Sequence, residues 1–246
     1  MPTSSLKEQK AAAVQMSSTP DKAPEKPKVV IARLRAKLAR QGRQRHAAGL
    51  LEGIAAMLQP GDVVCDCGAN IGLVTAVLAA SGATVHSFEP DPHAFAILAE
   101  RFADMPNVIL HQVAVGEAKG RVTFYRSDKL DDNPNRSNQG ATMFENHRFV
   151  QLDTRIAITV DVIDFTAFLT DLLDSGQSVR FVKIDVEGAE LGILRRMLEQ
   201  GLFDRIKLTV AETHEANIPD WAEDFATLRA DIGAKYPKSR VNLDWI

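Results

Sequence analysis

The chain has 246 residues, 45% apolar and 25% charged, which suits one sizeable globular core plus a tail and leaves a second full domain cramped. A net charge of -3 with a pI near 6.1 excludes a global nucleic-acid-binding signature. No apolar run approaches the roughly 18 residues of a membrane span, and the N-terminus lacks the apolar centre of a secretory signal, so the expected compartment is the cytoplasm.

Residues 1–28 mix Ser, Thr, Pro, Lys and Glu with few large apolar side chains, too little to offset ordering entropy, and are expected as a disordered tail. Over 29–59, Ile31, Leu34, Leu38, Leu50, Leu51, Ile54 and Leu58 recur mostly at three- and four-residue spacings, predicting two helices separated at Gly42. The basic residues of the first, Arg33, Arg35 and Lys37 among them, read as a solvated face. Pro60-Gly61 ends this pattern and opens the main domain, 60–246.

From there the period switches repeatedly between strand and helix, as in βαβ units with a mostly parallel, doubly wound sheet. Strands are predicted near 62–66, 84–89, 108–114, 120–126, 154–160, 181–185 and 206–212. Helices are predicted near 72–81, 92–103, 165–173, 188–200 and 221–233. The polar segment 127–146 breaks the rhythm and is expected as a lid, with Asn138 and Gln139 orienting an acceptor. Cys65 and Cys67 lie two apart, where a disulfide would be strained, and are expected as reduced packing thiols.

The informative stretch is Val63-Val64-Cys65-Asp66-Cys67-Gly68-Ala69-Asn70-Ile71-Gly72, a strand, a tight turn and a helix start, where open α/β sheets bind nucleotide-like ligands. A P-loop would need Gly-Lys-Ser/Thr, and Gly72 is followed by Leu73. A dinucleotide site wants a second glycine where Asn70 stands, because the backbone must close on a pyrophosphate. Asn tolerates the left-handed backbone, so the turn still forms. Asp66 is expected to repel a pyrophosphate and suit a cationic sulfonium. Glu89 lies 23 positions later at a strand end, placed to accept hydrogen bonds from two ribose hydroxyls. Together these favour S-adenosylmethionine.

V-C-D-C-G-A-N-I-G, then F-E-P-D, then V-K-I-D-V-E-G-A-E at Val182 to Glu190, resembles the FkbM family of methyltransferases over roughly Pro60 to His214. The resemblance implies a class I, Rossmann-like methyltransferase fold behind an N-terminal helical extension. It also implies S-adenosylmethionine as donor and O-methylation of a sugar, lipid-linked or natural-product hydroxyl. Carried across, Asp66, Gly68, Ala69, Asn70 and Gly72 would line the methionine end of the donor. Glu89, with Pro90 beside it, would hold the ribose, and Val113 and Ala114 would flank the adenine.

The second motif also reads on its own. Phe181, Lys183 and Asp185 alternate onto one strand face, Val182 and Ile184 onto the other, bringing Asp185 to the carboxyl edge of the sheet. Asp185 and Lys183 read either as catalytic groups or as a structural ion pair, and Glu190 as a favourable charge at a helix start. The last strand of the motif region brings Glu212 and His214 to the same edge. Asp185 and His214 are therefore the candidate general bases, with Glu187 orienting the acceptor. The set Asp185, Glu187, Glu212 and His214 matches Mg or Mn ligands no better than an acid–base pair, so no metal is expected, a divalent cation being the lesser reading. The expected partner is a small-molecule or glycan acceptor with a hydroxyl, not a nucleic acid. The readings from other classes are a non-catalytic S-adenosylmethionine-binding subunit and a nicotinamide-dependent oxidoreductase.

Overall fold

The computed structural model describes residues 27–127, 155–215 and 219–245. The expected lid with Asn138 and Gln139 falls outside them, as does the expected tail apart from Pro27 and Lys28, which begin helix α1 (Pro27–Ala55). The chain divides into two compact units, Met1–Gly42 and Arg43–Ile246.

Helix α1 runs through Gly42 without the expected break. A glycine inside a helix costs only about 1 kcal/mol relative to alanine, which a long helix absorbs. Its later half belongs to the second unit, where Ala47, Leu51 and Ile54 are buried with Val64, Val85 and Phe181. No helix among the described residues is long and apolar enough to cross a membrane.

The second unit is built on a six-stranded sheet. Its strands are β1 (Asp62–Cys67), β2 (Thr84–Phe88), β3 (Val108–His111), β7 (Ser178–Ile184), β8 (Leu208–Ala211) and β9 (Val241–Asn242), between which β4 (Ala114–Gly116), β5 (Gly120–Ser127) and β6 (Arg155–Asp164) intervene in sequence. The order is β3-β2-β1-β7-β8-β9 with every pairing parallel. Parallel strands need crossovers, supplied here by α2 (Leu73–Ala79), α3 (Pro92–Arg101), α4 (Phe165–Asp174), α5 (Glu190–Glu199) and α6 (Leu202–Arg205), followed by α7 (Ala222–Lys235). This is the doubly wound, parallel sheet that the sequence pattern predicts and the class I arrangement that the family resemblance implies.

Side-chain alternation sorts the core onto two faces. Val63, Cys65, Cys67, Val182 and Ile184 pack with α4, α5 and α7 residues such as Leu169, Ile193 and Phe225. Val64, Phe181 and Val210 face the other layer, with Leu78 of α2. Both cysteines are buried and free, as expected, and burial pushes their thiols up, away from thiolate chemistry.

The predicted strand at 108–114 is two strands. β3 ends at His111 and stays in the main sheet, whereas β4 joins a second, three-stranded sheet, β4-β6-β5. Ala114 pairs with Val162 of β6 there, so Val113 is carried across the mouth of the main sheet. β6 extends to Asp164, four residues past the predicted end, because residues 155–162 pair antiparallel with β5 and residues 162–164 pair parallel with β4. Asp164 then caps α4 by accepting from Ala167 N at 3.0 Å.

Candidate active site

The main sheet reverses its winding between β1 and β7, and the cleft outside their carboxyl ends is where such sheets take ligands. Gly68 has φ 78°, and a Cβ there would lie 1.8 Å from the Asp185 carbonyl oxygen at the end of β7. Only glycine permits that approach. Asn70 takes φ 52°, the left-handed turn position its side chain tolerates.

Five successive backbone N–H groups of this turn are consumed within the fold. Gly68 and Ala69 donate to Phe88 O at 3.0 and 2.9 Å, and Gly72 donates to Ala69 O at 2.8 Å. Asn70 N donates to Glu89 Oε2 and Ile71 N to Asn70 Oδ1, both at 2.8 Å. An anion nest requires such donors to point outward. The turn therefore offers no N–H cradle over 68–72 for a pyrophosphate.

Two residues expected against a donor do other work. Asp66 is fully buried, its Oδ2 accepting from Thr75 Oγ1 at 2.7 Å and its Oδ1 lying 3.3 Å from Lys183 Nζ. Its charge is neutralised beneath the turn, so it neither repels a phosphate nor attracts a sulfonium directly. Gly72 is a packing glycine: a Cβ would meet Phe102 Cε2 at 2.4 Å and Leu98 Cδ1 at 2.7 Å. It lets the start of α2 sit against α3.

Lys183, which sequence reasoning left as a partner of Asp185, is the hub below the site. Its Nζ donates to Gly68 O at 2.9 Å and lies 3.1 Å from Asp185 Oδ2. Burial by itself lowers an ammonium pKa, but Asp185 and Asp66 together hold Lys183 above its ordinary value. The alternating V-K-I-D pattern carried the signal. Its second partner, Asp66, is on a different strand and invisible in spacing.

The cleft has a volume of about 410 Å³ and is lined by Gly68, Ala69, Asn70, Glu89, Pro90, Val113 and Ala114, all expected donor contacts, and by Asp185 and Glu187. Glu89 is 6% exposed and accepts one backbone N–H on each oxygen, from Asn70 and from Asp91, both at 2.8 Å. An ionised carboxylate has about four acceptor positions, so two remain for the cleft. Burial pushes the Glu89 carboxyl up to about 7, against these two hydrogen bonds. The unfolded chain releases this proton near 4.5 and the fold near 7, so its contribution to stability is full below 4.5 and falls as pH rises through 7.

Asp185, Glu187 and Glu212, which line the cleft, and the buried Glu190 behind them surround one imidazole. His214 Nδ1 lies 2.9 Å from Glu190 Oε1. Its Nε2 lies 3.3 Å from Glu187 Oε2, 3.9 Å from Glu212 Oε1 and 4.0 Å from Asp185 Oδ1. Glu190, expected only as a helix-start charge, is fully buried and also accepts from Val186 N at 3.1 Å and Gly188 N at 2.9 Å. It thereby ties the turn after β7 to the segment after β8. Burial lowers His214, but its hydrogen bond to Glu190 and the surrounding carboxylates raise it to about 10. Those carboxylates favour the protonated ring, and Nε2, the nitrogen expected to take a proton, is turned toward Glu187, Glu212 and Asp185. Burial, with neighbouring carboxylates, pushes Glu187 and Glu212 up to about 7. Glu187 also has φ 58°, an uncommon backbone state for a non-glycine residue that concentrates at functional sites.

With the turn, the acidic strand end and the second motif around one cleft, comparison with known proteins places the chain. Residues 66–235 match the Methyltransferase FkbM domain. The chain belongs to the FkbM methyltransferase family. It is 33% identical over 184 residues to the 31-O-demethyl-FK506 methyltransferase FkbM of Streptomyces tacrolimicus, covering 65% of this chain and 68% of that one. It is 29% identical over 190 residues to Methyltransferase 1 of Beauveria bassiana (strain ARSEF 2860), covering 70% of each. Among solved structures, an rRNA methylase from Streptococcus thermophilus aligns over 71% of this chain and 74% of its own, with 14% identity and a TM-score of 0.35. The FkbM-family assignment rests on the domain match and the first of these relatives.

Proposed function

We propose that this FkbM-family protein transfers a methyl group from S-adenosylmethionine to a hydroxyl oxygen of a small-molecule or glycan acceptor. The observation that carries the donor assignment is the pairing of an exhausted turn with a buried, cleft-lining Glu89. The N–H groups of 68–72 are spent, disfavouring a pyrophosphate, while Glu89 keeps acceptor capacity toward the cleft. A ligand with a ribose and no phosphate fits that chemistry. The cleft volume, about 410 Å³, falls in the usual range for small-ligand sites.

In this reading Glu89 holds the ribose hydroxyls, Val113 and Ala114 contact the adenine, and Gly68, Ala69 and Asn70 face the amino-acid end. The bound donor supplies an electrophilic methyl group on a sulfonium. The chain's own task is to orient the acceptor oxygen and take its proton. Asp185, whose Oδ2 is held by Lys183, leaves Oδ1 on the His214 side to orient the hydroxyl. Glu187 is the proton acceptor, since it lines the cleft on the strained turn directly after β7. The name of the Streptomyces relative, which specifies an O-methylation, supports oxygen as the accepting atom.

The test is transfer of labelled methyl from S-adenosylmethionine into a panel of hydroxyl acceptors. Glu187→Gln is expected to lower turnover by roughly 10²–10⁴-fold, the usual worth of a positioned base, with donor affinity within about twofold of wild type. Label reaching nitrogen acceptors alone would refute the oxygen assignment. Unchanged turnover in Glu187→Gln would remove the assigned base.

A further inference from the structure

We propose that Asp185, Glu212 and His214 Nε2 form a binding site for one hard divalent cation of the Mn²⁺ class, open toward the cleft. One carboxylate oxygen from each acidic residue and a His214 ring nitrogen all lie within 4.8 Å of one another. Ligands bonded to one ion at about 2.0–2.2 Å lie no more than about 4.4 Å apart, so small side-chain rotations complete the set.

The orientation of the imidazole argues that this is more than an acidic patch. Glu190 is fully buried, and its oxygens already accept two backbone N–H groups. Facing such an acceptor at 2.9 Å, Nδ1 of His214 must carry hydrogen. The neutral tautomer then places its lone pair on Nε2, directed at Asp185, Glu187 and Glu212. A buried carboxylate that orients a histidine from behind is the usual outer support of a metal ligand. The ring is 8% exposed, so Nε2 is fixed inside the cluster and not sweeping through solvent.

Charge points the same way. Four carboxylates lie within 4.0 Å of this imidazole, and the buried cation next to them, Lys183, is shared with Asp66. Among the described residues, Glu212 accepts no side-chain or backbone hydrogen bond, leaving its half-buried carboxylate with His214 as its close partner. A divalent ion replacing the Nε2 proton offsets this excess. Two carboxylates with one imidazole suit Mn²⁺ better than the all-oxygen sets typical of Mg²⁺ or Ca²⁺. Open coordination positions would face the cleft that Asp185 and Glu212 line, where an acceptor oxygen can bind, with Glu187 beside it.

The test is an electron paramagnetic resonance titration of Mn²⁺ into the full chain after chelator treatment, without donor or acceptor, so its failure is separate from failure of the methyl-transfer reading. The expected result is loss of the free-ion signal at about one Mn²⁺ per chain, saturating below ~0.1 mM, within the range of carboxylate-based sites. Glu212→Gln is expected to weaken binding at least tenfold while keeping the wild-type melting profile. The exposed Asp161→Asn is expected to bind as wild type. Absence of binding up to 1 mM, or wild-type affinity in a folded Glu212→Gln, overturns the site.

Discussion

Gly68→Ala is expected to destroy donor binding and to lower the melting temperature by about 4–20 °C. The added Cβ would sit 1.8 Å from the Asp185 carbonyl oxygen, a backbone atom that cannot rotate aside. The turn would have to move off the end of β7, breaking the Gly68 and Ala69 hydrogen bonds to Phe88 O. Overpacking costs about 1–3 kcal/mol or more, and the left-handed backbone of an L-residue adds roughly 1–2 kcal/mol. A total of about 2–5 kcal/mol gives the stated shift at 2–4 °C per kcal/mol for a domain of this size. Thermal melting and calorimetry with S-adenosylhomocysteine measure both effects. A variant that melts and binds as wild type would mean that the turn and β7 are not in contact.

Lys183→Met is expected to cost a further large amount, about 3–5 kcal/mol, because it leaves a buried charge without its counterion. Asp66 is fully buried and, among the described residues, would retain only Thr75 Oγ1 as a close partner of its carboxylate. The double variant Asp66→Asn/Lys183→Met removes both charges and is expected to recover at least half of the loss. Strong non-additivity of this kind marks a direct pair. Urea denaturation of the four proteins supplies the cycle, and additive effects would show that Lys183 does not serve Asp66.

Most of the fold was legible because it follows from local pattern. The short apolar run Val63-Val64-Cys65 reads as a strand, and the alternation along β7 correctly separates Val182 and Ile184 from Phe181. The split of 108–114 was not legible, since it depends on β4 pairing with β6 almost fifty residues later. The placing of Glu89, Asn70 and Gly68 around one cleft was readable from their spacing about one turn. Asp66 was misassigned because a carboxylate beside a ligand turn reads as a ligand contact until its buried counterion on another strand is known. Glu190 was undervalued for the same reason, its partner His214 lying 24 positions away on a different segment.

The central claim, that the cleft between β1 and β7 takes the adenosyl donor with Glu89 on its ribose, is tested most directly by calorimetric titration of S-adenosylhomocysteine into wild type and Glu89→Ala. Wild type is expected to bind one equivalent, more weakly at pH 6 than at pH 8 because Glu89 titrates near 7. Loss of two hydrogen bonds to a charged group should weaken Glu89→Ala by about 3 kcal/mol, roughly a hundredfold. Equal affinities in the two proteins, or NAD binding where S-adenosylhomocysteine does not, would contradict the account.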